Sequence, residues 1–160
     1  MKASRSPSRT ASTFPVSTPV RTSFTSRDPA TAARNRQSYG ILQRSVAKEN
    51  AAGVRIVLGC DTGLEDHFFG HAEHKELELM VEAGMSPAQV IVAATSRAAE
   101  FLGLPDRGTI APGKRADLLV LDGNPLDDIR NMHRIAKMYI AGAEIDRAAI
   151  KSSLMKSARN

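Results

Sequence analysis

An aspartate that follows a short apolar run is the first residue of this sequence that could do chemistry. Asp61 stands three residues after Val54–Leu58, a run of β-branched and apolar residues closed by Gly59. In α/β proteins the loops beyond the carboxyl ends of parallel strands carry the functional side chains. A carboxylate there can transfer protons, but it is also typical of a turn in which aspartate accepts backbone hydrogen bonds. The residues alone leave both interpretations open.

Three histidines form a second group with possible chemistry. His67, His71 and His74 have the spacing H-x3-H-x2-H, which would bring their imidazoles near one face of a helix as a metal patch. Gly63 and Gly70 argue against a continuous helix over this stretch. His71 or His74 could instead line a substrate pocket, or all three could be solvated loop residues.

The composition is that of an ordinary soluble domain and excludes several classes of protein. The chain has 160 residues, 42% of them hydrophobic and 24% charged. No stretch approaches the roughly 18 to 20 apolar residues of a membrane-spanning helix, so we expect no membrane partner. The single cysteine, Cys60, excludes an intramolecular disulfide and a cysteine-built zinc site, which fits a cytoplasmic protein.

Residues 1–36 form a basic tail that we expect to be disordered. They hold seven Lys and Arg residues against Asp28 alone, so the tail carries more than the whole net charge of +5. The tail is rich in Ser, Thr, Pro and Arg, and its few apolar residues follow no helical or strand period. It therefore cannot bury enough apolar surface to offset the conformational entropy lost on ordering. An organelle transit peptide or a wrongly joined segment would have the same composition, and a nucleic-acid-binding arm is a less favoured alternative.

A helix and a buried strand precede Asp61 and would position it. Apolar residues recur at helical spacing over residues 37–50, and Gly53 supplies a C-cap. Val54–Leu58 has the composition of a strand buried in a parallel sheet. The sequence therefore predicts an αβ unit of the α/β fold class, followed by a loop over residues 59–70.

Short helices follow this loop. Periodic apolar residues predict a helix through residues 77–81 that ends at Gly84, and Ser86-Pro87 starts another that runs to Ala94. Thr95 or Ser96 could cap a third helix that ends at Gly103, and we interpret Thr95 as a cap and not as a catalytic hydroxyl.

The sequence changes to strands after Pro105. We predict strands at residues 116–122 and 135–140, a turn into a short partner at 144–145, and a helical segment beyond Asp146. Lys114 is expected to be a solvated side chain. Asp117 is expected to accept hydrogen bonds at the start of its strand.

Four sequence blocks resemble the amidohydrolase superfamily, in the branch of the imidazolonepropionases and Xaa-Pro dipeptidases. They stand in that family's order and spacing and read AGVRIVLGCDTG (52–63), EAGMSP (82–87), AATS (93–96) and GTIAPGKRADL (108–118). The resemblance implies the C-terminal part of a (β/α)8 TIM barrel, namely its last strand and following helices, with strands of a composite β-sandwich.

The resemblance also implies a metal site that lies mostly outside this sequence. Family members bind one or two divalent metals, commonly zinc, and among their ligands only the aspartate that ends the eighth strand maps here, at Asp61. As metal ligand and catalytic residue, Asp61 would take a proton from metal-bound water and pass it to the leaving nitrogen. Cys60 departs from the Thr or Ser expected there. His67, His71 and His74 do not match the family's usual ligands.

We divide the chain into the tail, a barrel portion (37–104), sandwich strands (105–146) and a C-terminal helix or tail (147–160). The full-length family hydrolyses carbon–nitrogen bonds in small amide or dipeptide-like substrates. This chain is expected to be inactive alone and to hold no metal stably. A complementing chain or a second copy would have to cover the predicted strand Val54–Leu58, whose composition is that of a buried strand. The alternative is a non-enzymatic interaction or oligomerisation module.

Overall fold

The computed structural model describes residues 28–62 and 69–157, which form a series of helices followed by a small sheet. The helical part comprises α1 (Pro29–Ala51), α2 (His71–Glu82), α3 (Pro87–Ala94) and α4 (Ser96–Phe101). The rest comprises β1 (Leu118–Leu121), a 3-10 helix (Ile129–His133), β2 (Ile135–Ile140), β3 (Ala143–Glu144) and α5 (Arg147–Ser157). Within the described ranges, no helix has both the length and the apolar character needed to cross a bilayer.

Helix α1 begins earlier than predicted, so the assignment of residues 29–36 to a disordered tail is wrong. The Asp28 carboxylate caps the helix by accepting hydrogen bonds from the backbone N–H groups of Thr31 (2.9 Å) and Ala30 (3.4 Å). Pro29 takes the first helical position, where its missing N–H costs nothing. The remainder of the predicted tail, residues 1–27, lies outside the described residues.

The apolar segment Val54–Leu58 is not a strand, which corrects the sequence prediction. A strand needs a neighbouring strand to satisfy its backbone, and among the described residues none pairs with this segment. Its Leu58 N–H instead donates to the carbonyl of Ala93 at 3.3 Å. Ile56 and Leu58 still pack against the buried core. The apolar pattern therefore predicted burial correctly but not strand pairing.

A small apolar core lies where α2, α3 and the 3-10 helix meet. Its buried members are Leu77, Met80, Met85, Val90, Ala93 and Ile129. Val90 and Ala93 are fully buried, so α3 forms the centre of the core. Val46 of α1 packs against the cluster from the side.

The start of α3 confirms the predicted cap at Ser86-Pro87. Ser86 Oγ accepts the Gln89 N–H at 3.2 Å, and Gln89 Oε1 accepts the Ser86 N–H at 2.8 Å. The Gln89 amide also exchanges hydrogen bonds with the Asn50 side chain, at 3.2 and 3.4 Å. The same side chain thus caps α3 and ties it to the end of α1.

Helix α4 packs closely against the turn that follows it. A β-carbon added at Gly108 would lie 2.6 Å from Cβ of Ala99 and 2.9 Å from the carbonyl oxygen of Thr95. Thr95 occupies the N-cap position of α4, but its hydroxyl donates to the carbonyl of Ile91 at 2.6 Å and does not cap the helix. Lys114 is exposed, and its ammonium donates to the carbonyl of Pro105, so it is not simply solvated.

The three strands form an antiparallel sheet in the order β1-β2-β3. Strand β2 coincides with the predicted residues 135–140. It joins β3 through Ala141 and Gly142, whose φ values of +51° and +83° suit a tight two-residue hairpin turn. Asp117 accepts the Ala141 N–H at 2.8 Å, which confirms its predicted role as a hydrogen-bond acceptor.

Candidate active site

Asp61 lies beyond the carboxyl end of Val54–Leu58 and is exposed. Its φ of +50° is in the left-handed region, which aspartate tolerates better than most residues because its short side chain can hydrogen-bond locally. Among the described residues, none donates a hydrogen bond to its carboxylate or pairs with it. The alternative role of this aspartate in a turn would involve residues 63–68, which lie outside the described range.

The side chains on both sides of Asp61 are linked to Glu73, in the first turn of α2. Thr62 Oγ1 donates to Glu73 Oε1 at 2.7 Å, and the Gly70 N–H donates to Glu73 Oε2 at 2.6 Å. Cys60 Sγ lies 2.8 Å from Thr62 Oγ1. A hydrogen bond between the Cys60 side chain and Glu73 also helps to lower the pKa of that carboxyl.

These donors keep Glu73 charged. The hydrogen bond from Thr62 is the main cause that lowers the pKa of Glu73 below its ordinary value, and the Gly70 N–H adds to the effect. Glu73 is also the third residue of α2, where a carboxylate suits the positive end of the helix dipole. The result is a fixed negative charge that accepts hydrogen bonds from both sides of the segment between Thr62 and Gly70.

The predicted histidine group is only partly described. His67 lies outside the described residues, while His71 is the exposed first residue of α2 and His74 lies one turn later. The ring of His74 stacks on that of His133 in the 3-10 helix, with centroids 4.3 Å apart and planes inclined by 24°. Sequence reasoning missed His133 because it lies far from the other histidines in the chain and shares no local spacing with them.

The stacked histidines join α2 to the 3-10 helix. His133 Nε2 lies 2.9 Å from Glu78 Oε1, and this bond is the main cause that lowers the pKa of Glu78. Burial, followed by the nearby His133, lowers the pKa of His74, whose buried Nδ1 has no hydrogen-bond partner within the described part of the chain. The neutral ring of His74 is therefore favoured, and the pair acts as a packing contact.

The described residues do not build a metal site by themselves. No three His, Cys, Asp or Glu side chains within residues 28–62 and 69–157 converge as metal ligands. Asp61 is a single donor, whereas a catalytic divalent metal commonly has three protein ligands. A metal bound at Asp61 does not fit this donor set unless further ligands come from elsewhere.

Comparisons with known proteins agree with this fold. The model of the amidohydrolase family matches residues 33–145. An imidazolonepropionase from Deinococcus radiodurans is 39% identical over 64 residues, which make up 38% of this chain and 16% of that protein. The crystal structure of a putative prolidase from Bifidobacterium longum matches with a TM-score of 0.66 and 34% identity, over 83% of this chain and 34% of that chain.

A third match is the crystal structure of a Xaa-Pro dipeptidase with bound methionine in its active site. It gives a TM-score of 0.61 and 31% identity, over 73% of this chain and 27% of that chain. The chain thus spans about a third or less of each of these three relatives. Its helices and sheet correspond to part of the α/β fold that the resemblance implies. Because the family model covers well over half of its residues, the chain belongs to the amidohydrolase family.

Proposed function

We propose that this chain supplies the Asp61 carboxylate to a metal-dependent hydrolase of carbon–nitrogen bonds. The observation that carries the proposal is the place of Asp61, exposed at the carboxyl end of Val54–Leu58 and without a partner among the described residues. The family match supports the reaction class. The dipeptidase and prolidase neighbours support a small amide or dipeptide-like substrate.

In this role Asp61 is a proton carrier. Its carboxylate accepts a proton from the attacking water and returns the proton to the leaving nitrogen. Because the Asp61 side chain is exposed, it is accessible to a bound substrate. The divalent metal, which we propose to be zinc, would need further ligands from another polypeptide or from outside the described residues.

The uncovered apolar surface supports the view that the chain is inactive until it is completed. Strand β1 is an edge strand within the described sheet, and its Leu119 and Val120 are each 44% exposed. Ile41 and Leu42 of α1 are more than half exposed. Such edges and apolar faces are normally covered, which favours a complementing chain or a second copy as the partner.

A chimeric enzyme tests the proposal. Residues 52–146 of this chain would replace the equivalent C-terminal segment of the Xaa-Pro dipeptidase, and hydrolysis of Xaa-Pro dipeptides would be measured with Zn²⁺ supplied. We expect turnover that Asp61→Asn lowers by about a hundredfold or more, the usual contribution of general acid–base catalysis. Asp127→Asn removes a charge at an exposed residue of the same segment and should leave turnover unchanged.

Two results would contradict the proposal. One is a folded, metal-loaded chimera whose turnover survives Asp61→Asn. The other is activity of the purified chain by itself. We expect no metal-dependent hydrolysis of the same dipeptides, and activity without a partner would disprove that the chain needs a complementing polypeptide.

A non-enzymatic interaction module is the second candidate. It is favoured by the absence of buried residues in both α1 and α5, the two helices at the ends of the described chain. Native mass spectrometry separates the candidates. If the chain forms a stable oligomer without metal and the chimera is inactive, the module is supported. If the chimera takes up metal and turns over its substrate, the hydrolase is supported.

A further inference from the structure

We infer that Glu73 is a positioning residue that holds Asp61 in its left-handed conformation through Thr62 and Cys60. The inference rests on the proposed function, because it concerns the residue to which that function assigns proton transfer. It adds Glu73, Thr62 and Cys60 to the site, none of which the sequence pattern had assigned a role.

The connectivity of the hydrogen bonds is the first argument. The Cys60 thiol lies 2.8 Å from the Thr62 hydroxyl, and that hydroxyl donates to Glu73 at 2.7 Å. Asp61 stands between these two linked side chains in the sequence. Fixing the residues on both sides of Asp61 restricts the backbone rotation that would move its carboxylate.

The conformation of Asp61 is the second argument. A φ of +50° is disfavoured for most residues with a β-carbon and only partly tolerated by aspartate, so contacts beside Asp61 can decide whether this conformation persists. Among the described residues no side-chain contact of Asp61 itself does so. The contacts of the two adjacent residues, Cys60 and Thr62, which lead to Glu73, can supply this restraint.

The rigidity of the support is the third argument. Glu73 belongs to α2, which is anchored by Leu77 and Met80, only 6% and 5% exposed. Its second carboxylate oxygen accepts the Gly70 N–H at 2.6 Å, which fixes the orientation of the carboxylate. A side chain locked on a packed helix can hold a loop residue in place, as precise sites require.

Both carboxylate oxygens of Glu73 take part in this support. Glu73 accepts from Thr62 with one oxygen and from Gly70 with the other. A glutamine of the same length could keep both contacts, because its oxygen can accept from Gly70 while its amide N–H donates to the Thr62 hydroxyl, whereas Glu73→Leu removes both acceptors. Thr62→Val removes only the hydroxyl and keeps the branched shape, whereas Thr62→Ser keeps the donor.

Nuclear magnetic resonance on the full, isotope-labelled chain tests the inference without any activity. Thr62→Val should move the backbone carbon chemical shifts of Asp61 away from those of a left-handed conformation. The Gly70 amide should keep its protection from hydrogen exchange. Glu73→Leu should disturb both Asp61 and Gly70, and Thr62→Ser should retain the wild-type resonances. Glu49→Gln on the exposed side of α1 is the matched control and should change neither signal. Unchanged Asp61 resonances in Thr62→Val would overturn the inference.

Turnover in the chimera separates this inference from the proposed function. Thr62→Val should lower kcat about tenfold or more with little change in KM, as a displaced catalytic group does, and Thr62→Ser should recover it. If Asp61→Asn abolishes turnover but Thr62→Val does not lower it, the positioning role is wrong and the proposed function stands. If Asp61→Asn has no effect, the proposed function is wrong, and the Asp61 resonances alone decide whether Glu73 holds this backbone.

Discussion

Replacing Gly108 by alanine tests whether the turn after α4 is packed as closely as the structure shows. Gly108 has a φ of +85°, and a β-carbon there would lie 2.6 Å from Cβ of Ala99 and 2.9 Å from the carbonyl oxygen of Thr95. A backbone oxygen cannot rotate away from the new atom. Gly113 is a matched control, because its φ is +81° but nothing lies within 4 Å of the same added carbon.

Both substitutions place alanine in a left-handed backbone, but only Gly108→Ala also creates a steric overlap. A left-handed backbone costs alanine about 1–2 kcal/mol at either site. Overlap with packed neighbours adds about 1–3 kcal/mol at Gly108 alone, as in other overpacked sites. We therefore expect a loss of about 2–5 kcal/mol for Gly108→Ala and about 1–2 kcal/mol for Gly113→Ala.

Urea denaturation followed by circular dichroism measures the difference. The midpoint should fall further for Gly108→Ala than for Gly113→Ala, with the slope unchanged if both variants keep the same native compactness. Equal losses at the two sites would refute the reasoning, because the close approach to α4 would then contribute nothing. A changed slope would mean that the substitution alters the compactness of the native or the denatured state, or that unfolding is no longer two-state.

Three further predictions concern stability. Because burial lowers the pKa of His74 from its ordinary 6.5, the folded chain binds fewer protons than the unfolded chain, and the free energy of unfolding should fall as the pH drops below about 6.5. His74→Gln should remove this part of the pH dependence in urea titrations, and an unaltered pH profile would contradict it. Met85→Ala should cost about 2–5 kcal/mol because the side chain is only 2% exposed. Met155→Ala, at 54% exposure, should cost about 0.5 kcal/mol or less in the same urea titrations, and similar costs for the two variants would refute the assigned core. Ser86→Ala should lower the free energy of unfolding by about 1 kcal/mol in urea, whereas Ser86→Asn should retain the cap.

The elements with strong local signals were predictable from the sequence. Ser86-Pro87 fixes the start of α3 through a cap and a proline, both of which act within four residues. Strand β2 has apolar residues and clear turn residues after it, and its bounds match the prediction. The start of α1 had an equally local signal at Asp28-Pro29, but the polar composition around it led us to assign a tail.

The contacts of the candidate site were not predictable, because they join distant parts of the chain. The position of Asp61 beyond Val54–Leu58 followed from the pattern, since apolar runs and glycines are local features. Its link to Glu73 crosses a loop, and the stacking of His74 on His133 joins two separate elements. The strand expected at Val54–Leu58 depends on a neighbour that local composition cannot reveal.

The Gln89 amide makes two helix ends depend on each other during unfolding. The same group caps α3 and exchanges hydrogen bonds with Asn50 in the last turn of α1. Fraying of α1 would therefore remove part of the restraint on the α3 cap, and loss of that cap would free Asn50. Backbone amides at the two ends should open together as one cooperative unit, even though 39 residues separate the linked side chains along the chain.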